Sequence, residues 1–286
     1  MRRIDLHVHS NRSDGTLTPT ELTAHAAACS LSAFALTDHD NTDGLYEALE
    51  AASIYQIEVI PGIEFSTEYL GRDIHIVALE PDWKNPDFQK KIDFYRAERL
   101  RRNQKMIDKM AADGIDISYE QMVESFTETV WTRAHFARYL ADHGYVPEMW
   151  DAFRTHVGDH CKYFVPREKV SPIEITKLIR QFHGIPVLAH PFQYHFSEEE
   201  LETLLAKLRD AGLIGIEAYY STHSDEQTNY ILDLASRFDL LPSGGSDFHG
   251  SNKPTISLGT GKDNLNIPYE IIEHMRKRRD ELEKNS

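Results

Sequence analysis

The chain has 286 residues, 41% hydrophobic and 27% charged, the balance of a soluble globular enzyme and enough for one α/β barrel with or without an insert. A net charge of −15 argues against a long nucleic-acid duplex as partner, which calls for a basic face. It leaves a small anionic substrate open, because bound cations reverse the local field.

Cys29 and Cys161 are the only cysteines, too few for a disulfide framework or a thiolate zinc site. No apolar run approaches the ~20 residues of a membrane span. The first strand starts at Met1-Arg2-Arg3-Ile4 and leaves no room for a signal peptide, so a cytoplasmic protein is expected. No residue pattern speaks to oligomeric state.

Short apolar runs alternate with amphipathic stretches, the signature of a mostly parallel sheet. Arg3 to Val8 reads as a strand with Ile4, Leu6 and Val8 on one face. Thr18-Pro19-Thr20-Glu21 opens a helix: Thr18 is the N-cap, Pro19 stands at N1, and Glu21 closes a capping box. A second strand is expected from Ala33 to Thr37, a helix from Asp43 to Gln56, a third strand from Glu58 to Ile60 and a fourth from Asp73 to Leu79. Strands follow at Ile185 to Ala189, Leu213 to Ala218 and Leu240 to Pro242, then a closing helix from Pro268 to Lys284.

The middle breaks this rhythm. From about Arg99 to Phe164 the pattern is helical with no convincing strand, bounded by Pro81 and Pro86 on one side and Pro166 on the other. The expected organisation is barrel over residues 1–98, a helical insertion acting as a lid over 99–165, and barrel again over 166–286.

Among 15 histidines, the informative ones follow the strands. The first strand ends in His7-Val8-His9 and is followed by Asp14; the second ends in Asp38-His39-Asp40; Glu64 follows the third; His75 lies in the fourth. His190-Pro191 follows the next strand, and Gly244-Gly245-Ser246-Asp247-Phe248-His249 the last. Barrel enzymes place their active sites at this rim. In His7-x-His9 both imidazoles share a strand face and can enter the barrel mouth.

One such pair is weak evidence, since buried histidines also serve packing. Nine ligand-type residues on successive strands are not explained that way. Converging carboxylates need cations, and a mixed imidazole and carboxylate set suits Mn²⁺, Fe²⁺ or Zn²⁺. Nine ligands exceed what one ion takes. Two or three ions would generate a hydroxide nucleophile at neutral pH and neutralise phosphoryl oxygens.

His7-x-His9, Thr37-Asp38-His39-Asp40, Glu64, His75, His190-Pro191 and Ser246-Asp247-x-His249 together resemble the PHP (polymerase and histidinol phosphatase) superfamily, nearly along the whole chain. The resemblance implies a distorted (β/α)₇ barrel with up to three metals. It assigns one ion to His7, His9, Glu64 and Asp247, a second to Glu64, His75 and His190, and a third to Asp14, His39 and His249.

The insert, with Thr132-Arg133-Ala134-His135-Phe136-Ala137, is similar to the nucleoside 3′,5′-bisphosphate phosphatase branch, some members of which are described as 5′→3′ exoribonucleases (RNase AM). That similarity implies conversion of adenosine 3′,5′-bisphosphate to AMP, with Arg133 and His223 holding the second phosphate. A guanidinium fork matches phosphate oxygens.

Competing readings are a histidinol-phosphate phosphatase, an exoribonuclease on short RNA, amide hydrolysis on a related metal barrel, and a non-catalytic nucleotide-binding or regulatory module. Arg12 and Lys162 read as surface cations ahead of phosphate contacts, Tyr219 and Tyr220 as core aromatics ahead of base-stacking residues, and Asp40 as a group near the metals that would orient a ligand or shuttle a proton. Cys29 is expected to be a packing residue.

Overall fold

The structure, a computed structural model, describes residues 2–126, 130–166 and 170–284. Its strands are β1 (Arg3–Val8), β2 (Ala33–Leu36), β3 (Glu58–Tyr69), β4 (Arg72–Leu79), β5 (Ile185–Leu188), β6 (Gly215–Tyr220), β7 (Leu241–Gly245) and the two-residue β8 (Ile267–Pro268). They form one sheet in the order β7-β6-β5-β4-β3-β2-β1-β8.

At the rim the sheet curls nearly shut. His9 N–H donates to Phe248 O at 3.0 Å and Asp247 N–H to His7 O at 2.9 Å, beside a parallel bridge between Val8 and Phe248. At the other end β8 pairs with β1. Gly245 permits the closure, because a Cβ there would lie 2.3 Å from His7 Cβ. The architecture is the expected distorted α/β barrel with seven full strands.

The α-helices are α1 (Pro19–Ala28), α2 (Leu45–Tyr55), α3 (Pro86–Ala112), α4 (Tyr119–Ser125), α5 (Arg133–Asp142), α6 (Met149–Ala152), α7 (Pro172–Gln181), α8 (Glu198–Asp210), α9 (Asp225–Arg237) and α10 (Glu270–Lys284), with a π-helical turn at Phe153–Val157 and short 3-10 turns at Pro191–Tyr194 and Gly250–Asn252. The Thr18 capping box and Pro19 at the helix start are both present.

One apolar cluster joins strand residues such as Phe34, Leu36, Phe65 and Ile216 to α1, α2, α8 and α9. A second joins residues of opposite strand parity, including Ala33, Ala35, Val77 and Val187, to Ile267 and Met275. In this second cluster α10 closes the base of the barrel, tied by Arg276 to Glu58 at 2.6 Å and to Glu80 at 2.6 Å.

Three expectations need correction. Ile4 and Leu6 pack in the inner cluster while Val8 joins the helix-facing one, so the three do not share a face. The register of β1 against β2 shifts between Asp5 and Val8; such an irregularity re-aims side chains, which brings His7 and His9 to the inside of the mouth. Strand β3 runs to Tyr69 rather than ending at Ile60, placing Glu64 within it. Finally, β4 is antiparallel to both β3 and β5, so His75 reaches the rim from the first half of its strand, not from the C-terminal end.

Between residues 99 and 164 the described residues contain no strand, and residues 127–129 of that stretch lie outside the described residues. Helix α3 runs from the barrel into this region, whose apolar residues, among them Met106, Met110, Trp131, Phe136 and Tyr163, form a cluster of their own.

Candidate metal centre

All nine rim residues converge, and eight are buried, His75 being the partial exception with 18% of its side chain exposed. Glu64 is the hub. Its Oε2 lies 3.2 Å from His7 Nε2, 3.2 Å from His9 Nε2 and 3.1 Å from His39 Nδ1. Its Oε1 lies 2.8 Å from His75 Nδ1 and 3.0 Å from His190 Nε2.

Four sets have ligand-type atoms within 4.8 Å of one another: His9-Asp14-His39-His249, His7-Glu64-His190, His7-His9-Asp247 and His39-Glu64-His75. The grouping inferred from the resemblance is close but not identical. Asp14, His39 and His249 do assemble, with His9 added, whereas His75 and His190 meet Glu64 in separate sets.

Backbone geometry contributes. Asp40, His190 and Asp247 have φ of 46°, 26° and 57°, a left-handed conformation that is costly for residues with a Cβ and tends to be retained at functional sites. The His39–Glu64 bridge, with Asp40 N–H donating to Glu64 O at 2.9 Å, extends the β2–β3 pairing into the rim.

The electrostatics fit cations. Burial pushes the Glu64 carboxyl up, but His7, His39 and His75 outweigh it and hold it well below the usual range. Burial pushes His9 down, yet Asp247 and Glu64 raise it to about 9. His7 Nε2 and His9 Nε2 face each other at 3.1 Å, an arrangement that needs a proton or a cation between two nitrogens. The Nδ1 atoms of His9 and His190 are buried with no hydrogen-bond partner. Buried polar atoms in native proteins are normally satisfied, so divalent ions suit the donor set.

Several supporting groups escaped the sequence reading. Buried Glu217 accepts from His7 Nδ1–H at 2.8 Å and from the His190 backbone N–H at 2.7 Å. This sets the His7 tautomer and leaves Nε2 facing the centre. A carboxylate in the otherwise apolar Ile216-Glu217-Ala218 run was the available signal. Asp247 Oδ2 accepts from Tyr220 OH at 2.6 Å and from Lys253 Nζ at 2.5 Å, leaving Oδ1 toward His7, His9 and His249. Asp38 accepts from Ser10 and Ser13 hydroxyls at 2.6 Å each, which shapes the loop carrying Asp14.

Because such second partners typically carry roughly 10–100-fold in metal affinity, Glu217→Gln is expected to weaken ion binding by about that factor. Mn²⁺ titration of chelator-stripped protein measures it; unchanged affinity would mean that other contacts orient His7.

The remaining predicted residues are placed as follows. Arg133, at the start of α5, has NH1 2.6 Å from Asp159 and NH2 3.1 Å from Asp73 on β4, so it ties α5 to β4. His223 donates from Nδ1 to Ala218 O at 3.0 Å and keeps a buried, unpartnered Nε2. Arg12 pairs with Glu47, Lys162 with Asp113 and Asp40 with Arg99. Tyr220 braces Asp247, Tyr219 packs against the core, and Cys29 is half-buried against it.

A barrel mouth crowded with imidazoles and carboxylates defines the class: a metal-dependent hydrolase on an α/β barrel. The chain belongs to the PHP domain family, whose model matches residues 5–175. It is 35% identical over 248 residues to a 5′-3′ exoribonuclease of Haemophilus influenzae, covering 87% of this chain and 90% of that one. It is 34% identical over 264 residues to a 3′,5′-nucleoside bisphosphate phosphatase of Chromobacterium violaceum, covering 92% and 93%.

Among solved structures, an amidohydrolase from Chromobacterium violaceum with bound sulfate and no metal superposes with a TM-score of 0.86 at 33% identity, covering 97% and 96%. A protein from Bifidobacterium adolescentis described as a metal-dependent phosphoesterase gives 0.83 at 30% identity, also covering 97% and 96%.

Proposed function

We propose that this enzyme removes the 3′-phosphate of nucleoside 3′,5′-bisphosphates, converting adenosine 3′,5′-bisphosphate to AMP and phosphate. The observation that carries this reading is the convergence of nine ligand-type side chains, Glu64 among them, at one barrel mouth, with Arg133 of α5 paired to Asp73 two residues before His75 on β4. His7, His9, Asp14, His39, Glu64, His75, His190, Asp247 and His249 would hold two or three divalent ions, with Mn²⁺ the favoured species and Fe or Zn the alternatives. Bound there, such ions would supply a nucleophile at neutral pH and charge neutralisation on the phosphate.

The chain's own groups do the rest. Glu217, Tyr220 and Lys253 hold His7 and Asp247 in fixed orientations. Ser10 and Ser13 commit their hydroxyls to Asp38, so neither is an activated nucleophile. Arg133 and His223 Nε2 would receive the 5′-phosphate, with Arg133 exchanging or sharing donors now given to Asp73 and Asp159.

The relatives carry both phosphatase and exoribonuclease names at similar identity, so nucleotide release from short RNA at the same site is the second reading. The test is release of phosphate or nucleotide by chelator-stripped protein resupplied with Mn²⁺. Its substrates are adenosine 3′,5′-bisphosphate, 3′-AMP, 5′-AMP, histidinol phosphate and a short 5′-phosphorylated RNA.

Preference for the bisphosphate supports the phosphatase. RNA turnover at a similar rate moves the assignment to an exonuclease, and phosphate only from histidinol phosphate overturns the substrate class. Arg133→Ala is expected to raise KM for the bisphosphate on the order of 30-fold relative to 3′-AMP, matching about 2 kcal/mol for a lost charge-assisted contact. Equal effects on both substrates would remove Arg133 from phosphate recognition.

A further inference from the structure

Among the described residues, Thr132 carries a direct contact from the start of α5 to a ligand-type carboxylate. Thr132, the N-cap of α5, accepts from Ala134 N–H at 3.1 Å and donates its hydroxyl proton to Asp14 Oδ2 at 2.8 Å. The direction is fixed, since an ionised carboxylate only accepts. Thr132 N–H is in turn taken by His135 Nδ1 at 3.0 Å, which completes the capping box.

Burial keeps His135 neutral, with its pKa lowered to about 4, so that Nδ1 stays an acceptor. Thr132 is 5% exposed and Asp14 4% exposed, so water does not compete for the contact. The other Asp14 oxygen, Oδ1, lies 3.2 Å from His249 Nε2, while Oδ2 is also 3.6 Å from His39 Nε2. One carboxylate therefore serves both the His9-Asp14-His39-His249 pocket and the N-terminus of α5. The residue after Thr132 is Arg133.

We propose that Thr132 is a positioning residue that couples the two sites. Through Asp14 it links loading of the Asp14/His39/His249 pocket to the placement of Arg133, so that ion and second phosphate each favour the other. This rests on the nucleotide-phosphatase reading for what Arg133 contacts, but not for the link between ion and helix.

The physical basis is that a carboxylate fixed by a cation has its remaining lone pairs aimed in one direction. The Asp14 charge stabilises the α5 N-terminus with or without an ion, so the coupling acts through the fixed direction of the carboxylate and not through its charge. Linkage then demands reciprocity: whatever ion binding does for the helix, helix docking does for the ion. An uncoupled lid would need no contact with a ligand carboxylate.

Thr132→Val keeps the shape and removes the hydroxyl; Thr132→Ser keeps the hydroxyl. In Mn²⁺ titration of the chelator-stripped full chain, Thr132→Val should weaken one site roughly tenfold, the effect of losing a hydrogen bond to a charged group, while Thr132→Ser retains it. Hydrogen exchange at the Ala134–Phe136 amides should slow on Mn²⁺ addition in the wild type and in Thr132→Ser, and respond little in Thr132→Val. At saturating Mn²⁺, Thr132→Val should raise KM for adenosine 3′,5′-bisphosphate more than KM for 3′-AMP.

Metal affinity and exchange in Thr132→Val matching the wild type would overturn the coupling. If no nucleotide is turned over by the wild type yet exchange still responds to Mn²⁺ through Thr132, the coupling stands and the substrate reading falls. If turnover is present and α5 exchange ignores Mn²⁺, the reverse holds.

Discussion

Glu64→Gln is expected to lower Mn²⁺-dependent phosphate release on the order of 10³-fold while leaving the barrel folded. Five imidazoles lie within 3.2 Å of the two Glu64 oxygens, so this one carboxylate touches every part of the centre except Asp14, Asp247 and His249. Glutamine has nearly the same shape and removes the negative charge that would bridge ions. The several kcal/mol that metal assistance contributes to phosphate transition states correspond, at about 1.4 kcal/mol per decade, to a loss of that size. Steady-state assays with circular dichroism as the folding control decide it. Activity retained within tenfold of wild type, in a variant that still binds Mn²⁺ normally, would show that Glu64 is not the bridge.

Stripping the ions is expected to lower Tm by on the order of 10 °C. An ion that binds only the folded chain at a thousandfold excess over its Kd adds about 4 kcal/mol, and for a chain of this size each kcal/mol moves Tm by roughly 2–4 °C. The shift depends on pH with a definite sign. The His9 imidazole, with its ordinary value of 6.5 raised to about 9, binds its proton more tightly in the folded chain than in the unfolded one. That stabilises the stripped protein fully below pH 6.5 and is lost as pH rises through about 9. An ion has to displace this proton. The gap between Mn²⁺-loaded and stripped Tm should therefore widen from pH 6.5 to 9, as differential scanning fluorimetry in the two buffers would register. A gap that is absent, or that narrows with rising pH, would argue that the imidazoles do not ligate ions.

The nine rim residues were readable because each follows or enters a segment with strand character, and because clustered histidines and carboxylates are hard to reconcile with packing alone. Arg133 was suggested only by resemblance, since a lone arginine on a helix has no distinguishing local pattern. Its partners show why: Asp73 comes from β4 and Asp159 from the turn just after the π-helical segment Phe153–Val157, and no local spacing relates the three. Glu217 and Lys253 were overlooked for a similar reason. Each is a single polar residue whose importance comes from what lies across the barrel.

Taken alone, the amino-acid sequence determined the alternation of strands and helices, the capped start of α1, the strand-free middle and the identity of the ligand-type residues. These depend on hydrophobic period, caps and residue chemistry, all of which act over a few positions. Only the tertiary structure decided that β4 runs backwards, so that His75 enters the rim from the first half of its strand, and that the irregularity in β1 brings His7 and His9 to the inside. It alone tied Thr132 to Asp14 across 118 positions of chain. Strand direction, bulges and contacts between distant segments are set by how the whole sheet closes and packs, and a local window of residues holds no record of that.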